Sequence, residues 1–360
     1  MPKSFTDERW LEIKGNYDKW WEHDLDLPLI SASVWKEPDL KKPFLHQMTQ
    51  TEFADLTISP EKIAERIEYE VSSRDYIADG YPLYSFAFSG PGIVAAFLGS
   101  NIGINNNWIW FHPPDKLPAI DKLHFEYNED NIWFRRLVDI YESTIKRTEG
   151  KVVLGLPDLG GILDIISTFF PGEKLIFEVC DNPSEVKRLI SEIEDIWTQY
   201  HNKFIDILKG RIPGYSDWSL VYSDKPLYIV QSDFSYMISP QMFKELVLPT
   251  IINNAVKIPR TIYHLDGVGQ LPHLSMICNI ERLDAIQWVP GTGKPDFWEW
   301  PDVYEKILNS GKNTWIYANR NDLMQMKKVL GNLKGFFITY ILSQGETKDD
   351  IFRTIEKIKV

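Results

Sequence analysis

Few runs in this 360-residue chain combine residue types that could carry chemistry. The clearest is Tyr263-His264-Leu265-Asp266-Gly267. It sets an imidazole and a carboxylate two positions apart, and on a strand that spacing puts both side chains on one face. An imidazole beside a carboxylate can serve as a general acid or base, and the same pair offers two ligands to a divalent metal. Three further runs follow apolar stretches: Pro157-Asp158-Leu159-Gly160-Gly161, Gln231-Ser232-Asp233 and Ala285-Ile286-Gln287-Trp288. Candidate catalytic residues are therefore His264, Asp266, Asp233 and Asp158, with His264 and Asp266 as candidate metal ligands. Gln231, Gln287, Trp288 and Tyr317 are candidate substrate contacts, and Trp108 with Trp110 a candidate aromatic wall.

Each of these has a structural alternative. His264 could cap the fold by bonding a neighbour. Asp266 and Asp158 lie just before glycines and suit turns. Asp233 suits the approach to a helix. The pairs Gly267/Gly269 and Gly291/Gly293 fall short of a phosphate-binding fingerprint and read as places where the backbone turns.

Something must bring these runs together. Eight short apolar stretches read as strands buried on both faces: Leu29–Val34, Leu83–Phe88, Val152–Leu156, Tyr228–Ser232, Thr261–His264, Ala285–Trp288, Thr314–Tyr317 and Phe336–Tyr340. Helical patterns separate most of them. Ser59-Pro60-Glu61 opens one, Asn182-Pro183-Ser184-Glu185 a long one reaching about Leu208, and Ser239-Pro240-Gln241 another. Strand then helix, repeated eight times, predicts a single α/β domain over residues 1–360: a closed (β/α)8 TIM barrel. The candidate residues fall where such barrels keep their chemistry, at the C-terminal ends of the strands. An open doubly wound sheet is the runner-up, but Leu29–Val34 runs into Trp35-Lys36-Glu37-Pro38 without the expected glycine-rich turn. Two connections are too long for plain loops, about Gly90 to Glu149 after the second strand and about Lys209 to Pro226. The first carries Trp108 and Trp110 and is expected to wall the site.

The net charge of −12 disfavours nucleic acid and anionic membranes as partners. Cys180 and Cys278 are the only two cysteines; they are expected in or beside helices, unpaired and away from any metal, as suits a reducing cytoplasm. Met1 to Trp20 has no signal-peptide core, and no apolar run is long enough to span a bilayer.

Several segments resemble the uroporphyrinogen decarboxylase family in its broad sense, which includes corrinoid-dependent methyltransferases. They are Trp20-Trp21-Glu22-His23 with Pro28-Leu29-Ile30, then Asp158-Leu159-Gly160-Gly161 followed by Asp181-Asn182-Pro183. The most specific is Gln231-Ser232-Asp233-Phe234-Ser235 with Ile238-Ser239-Pro240-Gln241-Met242-Phe243 and Pro249. Tyr263 to Gly267 with Ala285 to Gly291 completes the resemblance, which covers about Trp20 to Lys359. It implies a barrel enzyme that transfers a methyl group between a small organic substrate and a corrinoid carried by a partner protein. No tightly bound cofactor of its own is expected.

The departures from the family matter too. Its porphyrinogen decarboxylases carry an arginine-rich segment near the N-terminus, and Pro28 to Pro38 has no arginine. Its thiol-alkylating methyltransferases bind zinc through a His-x-Cys pair and a later Cys. Here His264 and Asp266 match the pair, and the late position falls near Leu342–Ser343. Any metal would thus be a harder divalent ion. Cofactor-free decarboxylation, glycoside hydrolysis and ligand binding without chemistry stand as alternatives.

Overall fold

The computed structural model describes residues 6–36, 45 and 47–359. Glu37 and Pro38, the end of the run in which a glycine-rich turn was sought, lie outside them, as do Met1 to Phe5. Among the described residues eleven strands form: β1 (Leu29–Trp35), β2 (Arg74–Ala78), β3 (Leu83–Tyr84), β4 (Asn101–Asn105), β5 (Trp108–His112), β6 (Val153–Leu154), β7 (Leu227–Gln231), β8 (Arg260–Asp266), β9 (Ala285–Val289), β10 (Asn313–Ala318) and β11 (Phe336–Tyr340). All eight expected stretches contain one. The second shortens to two residues, because Ala87–Ser89 turns into a 3-10 helix.

Seven strands form one sheet in the order β2-β1-β11-β10-β9-β8-β7. Every pairing in it is parallel except β1 with β2. β3 and β6 form a separate parallel pair, and β4 and β5 an antiparallel hairpin. The expected closed barrel therefore needs correction: the hydrogen-bonded ladder is a parallel sheet with two breaks, not a closed ring. One break has a direct cause. The antiparallel β2 occupies the edge of β1 that a next parallel strand would use. At the other break, the segment 215–223 lies between β6 and β7. Ser216 bridges Gly155, and the Asp217 carboxylate, in place of a backbone carbonyl, accepts the amide of Ile229 at 2.6 Å.

Alternate strand residues divide two apolar layers, as the period of two requires. Leu29, Val153, Ile229, Ile262, Ala285, Trp315 and Phe337 face one cluster, which Ile13, Tyr17, Trp20 and Trp21 of helix α1 (Asp7–Trp21) complete. α1 thus stoppers the N-terminal side of the sheet. Asn313 donates to the carbonyl of Trp20 at 2.6 Å, and the Trp21 indole donates to that of Tyr222 at 2.8 Å. The intervening strand residues, Ile30, Val230, Leu265, Ile286 and Ile338 among them, pack against the helices.

Local signals place those helices. Ser59 caps Pro60–Ser72, and Ser239 caps Pro240–Leu246 by accepting from Met242 at 3.2 Å. Pro249 carries no amide hydrogen, and the helix restarts as Leu248–Lys257. The long helix Pro183–Leu208 forms where expected. Part of the first long connection is itself helical, at Ile132–Arg147. The rest holds the β4–β5 hairpin, whose two turn residues Asn106 and Asn107 have φ of 51° and 67°. Two left-handed residues match the twist of the paired strands. Cys180 is exposed, Cys278 is buried, and both are free.

Candidate active site at the strand ends

Parallel pairing brings the C-terminal ends of β7 to β10 to one side. One level runs in register across the sheet: Gln231, His264, Gln287, Trp315, Phe337 and Leu29. Half of that row is polar and half apolar. His264 Nδ1 makes a short hydrogen bond with the side-chain oxygen of Gln287, which is buried. That bond fixes the tautomer with Nδ1 protonated and leaves Nε2 without a protein partner. The Gln287 amide takes this place because it stands directly beside His264 on the adjoining strand. The Trp218 ring meets the imidazole edge-on at 5.1 Å.

Asp266 points the same way, two residues on. Asp233 opens the 3-10 turn Asp233–Met237 just after β7. One ligand atom from each of Asp233, His264 and Asp266 lies within 4.8 Å of the others. Asp158 joins the group from the loop after β6. Gln231 donates to it at 3.4 Å and the amide of Gly160 at 2.9 Å.

Asp164 was not anticipated. It sits in the helix Ile162–Phe169 and accepts the amides of Asp233 and Phe234 at 2.9 and 2.7 Å. It therefore holds the turn that presents Asp233. Gly161 permits this approach: a Cβ there would stand 2.4 Å from the Asp164 carboxylate and 2.2 Å from the carbonyl of Gln231. The signal was present as a lone acid inside the apolar run Ile162-Leu163-Asp164-Ile165-Ile166. Trp218 had no such signal, since the segment around it follows no period.

Burial raises the pKa of three of these acids, Asp158, Asp164 and Asp233. Burial pushes Asp164 up to about 7, helped by the charge of Asp233 and opposed by its two amide bonds. Burial likewise brings Asp158 to about 6, against the pull of the Gly160 amide and His264. Asp233 is open to solvent on one side and enclosed by protein on the others. That enclosure, then repulsion from Asp266 and Asp158, lifts it to about 7. The site holds protonated carboxyls near neutral pH, where an isolated Asp would be ionised.

A cavity of about 350 Å³ is lined by Asp164, Gln231, Asp233, Phe234, Met237 and Trp110 among others, while Asp158, His264 and Asp266 do not line it. Of the expected aromatic wall, Trp110 thus reaches the cavity; Trp108 is exposed on the same hairpin and does not line it. Tyr317 packs on the Trp315 ring at 5.0 Å, also away from this cavity. Trp288 is a correction. It is fully buried in the layer against the helices, 5.3 Å from the ring of Trp300. Adjacent strand residues face opposite ways, so Gln287 facing inward turns Trp288 outward. The pair Gly267/Gly269 has a packing role: Tyr236 lies against both, 2.7 to 2.9 Å from where their Cβ atoms would be.

No family model matches the chain, and no curated protein matches its sequence. Among solved structures, a methyltransferase from Methanosarcina mazei superimposes with a TM-score of 0.61 at 10% identity, covering 97% of this chain and 99% of that one. The chain shares its overall fold with that protein. No helix among the described residues is long and apolar enough to cross a membrane.

Proposed function

We propose that this chain is a methyltransferase that moves a methyl group from a small organic substrate to a corrinoid delivered by a partner protein. The observation that carries the proposal is the grouping of Asp233, His264 and Asp266 at the strand ends of a fold shared with a methyltransferase. The corrinoid would supply a strong nucleophile. The bond between the substrate heteroatom and the methyl breaks, and its electron pair stays on the heteroatom. That atom needs a proton or a positive charge beside it. Asp233, with its raised pKa, supplies the proton. Asp158 and Gln231 orient the substrate, and Trp110 walls it.

As an alternative to proton donation by Asp233, the same three side chains suit a divalent metal, with Asp233 then ionised. One imidazole nitrogen and two carboxylates form a hard to borderline donor set that contains no thiolate. Bound there, the ion would polarise the heteroatom. The fit differs from a zinc-thiolate centre and favours an ion that accepts oxygen ligands.

Incubation with free cob(I)alamin and a panel of methylated aromatics, with and without divalent metal, tests the reading. Loss of the cob(I)alamin absorption with at least one substrate is expected, together with metal binding that Asp266→Asn removes. No conversion across the panel under either condition would count against it.

Decarboxylation of a carboxylated ring is the second reading. It draws on the partly protonated Asp158, Asp164 and Asp233, any of which could protonate an electron-rich ring. Release of carbon dioxide without loss of cob(I)alamin would favour it. Glycoside hydrolysis would require two of these carboxyls about 5–5.5 or 6.5–9.5 Å apart across a cleft.

A further inference from the structure

A second cavity, of about 390 Å³, lies where β1, β2 and β3 meet. It shares no lining residue with the acid cluster, and it carries one cation, Arg74, beside one acid, Glu70. Register pairs Trp35 at the C-terminal end of β1 with Arg74 at the start of β2. The Arg74 guanidinium lies 4.4 Å from the centre of the Trp35 ring and donates to Ser33 Oγ at 3.2 Å. That bond occupies one of its five N–H donors.

The nearby acid does not use up the remainder. Glu70, one turn earlier on the preceding helix, accepts the amide of Met48 at 2.9 Å and a bond from Tyr84. Its carboxylate braces the cavity wall. Burial raises its pKa. The charge of Arg74 favours the ionised form of Glu70, yet no carboxylate of a described residue comes within salt-bridge distance of the guanidinium. Arg74 is half-buried and lines the cavity, as do Tyr81, Tyr84, Phe88 and Met48. The space is within the range of small-ligand sites. A planar cation at one end and aromatic walls elsewhere match a flat molecule that carries one carboxylate.

We propose that this cavity is a binding site for an aromatic carboxylate, whose carboxylate pairs with Arg74 and whose ring lies against the Tyr81, Tyr84 and Phe88 wall. The site stands on its own contacts and does not depend on the transfer reaction proposed above. Its test accordingly reads binding alone.

Fluorine NMR titration compares 4-fluorobenzoate with the neutral 4-fluorobenzamide. The intact protein should bind the acid about tenfold more tightly than the amide, since the charge-assisted bond is the main difference between them. In Arg74→Gln that preference should fall below about threefold while binding of the amide stays unchanged. Arg74→Lys keeps the charge, loses the planar fork and should fall between the two. Equal binding of acid and amide by the intact protein, binding of neither, or a preference that survives in Arg74→Gln would each overturn the proposal. The comparison within the intact protein stands even if a variant fails to fold.

Discussion

His264 has one bonded nitrogen and one free, which is what a working acid, base or ligand needs. His264→Ala should cost activity by about two to four orders of magnitude, the usual contribution of a positioned acid or base. Its half-buried ring contributes limited packing. The main loss to stability is the donor to the buried Gln287 oxygen, about 1 kcal/mol. Thermal melts and a substrate assay together check this; a melting temperature that collapses would return His264 to a structural role. His264, Asp266, Asp233 and Asp158 were legible because they follow apolar strands, and parallel strands end on one side. Trp288 was misread because strand parity was not applied to its neighbour Gln287. Asp164 was missed because it sits within a helix that otherwise reads as core, and its partners are backbone amides that no side-chain pattern reveals.

Among the elements, the segment 215–223 has the largest consequence for the site. It carries Trp218 against His264, and Asp217 ties it to β7. Asp217 is buried, with its pKa raised to about 6 by burial despite the amides of Ser219 and Ile229. An acid whose folded pKa lies above its unfolded value of about 3.9 holds its proton longer when folded. Its contribution is therefore greatest below about pH 4 and is lost as pH rises to about 6, by roughly 2–3 kcal/mol. Asp217→Asn should remove that slope. It should also cost about 1–3 kcal/mol at low pH, because one of the two amides then faces an NH2 group. Urea unfolding of both proteins from pH 4 to 7 measures the difference; parallel curves would show that Asp217 does not titrate as described. Each strand was legible from its apolar run, but the pairing was not. Nothing in the sequence of Arg74–Ala78 announced a strand that turns back along β1, and it is this strand that interrupts the ladder.

Across the whole molecule, the thirteen tryptophans divide by position. Trp20, Trp21, Trp197, Trp288 and Trp315 are fully buried, while Trp35, Trp108 and Trp110 are exposed, all three on strands that flank the site's side of the sheet. Trp20 and Trp21 of α1 anchor the N-terminal stopper. Trp21→Ala should cost about 3–5 kcal/mol, the usual loss for a buried large aromatic, and should abolish the tie to Tyr222. A fall of less than about 1 kcal/mol in denaturant unfolding would mean that α1 only rests on the sheet. The stopper also has a kinetic meaning. With Tyr17, Trp20 and Trp21 filling the N-terminal side, the strand-end side is the open approach to the candidate site. If a macromolecule sits across that opening, as the proposed transfer requires, a small molecule must enter before it and can leave only after it has moved away.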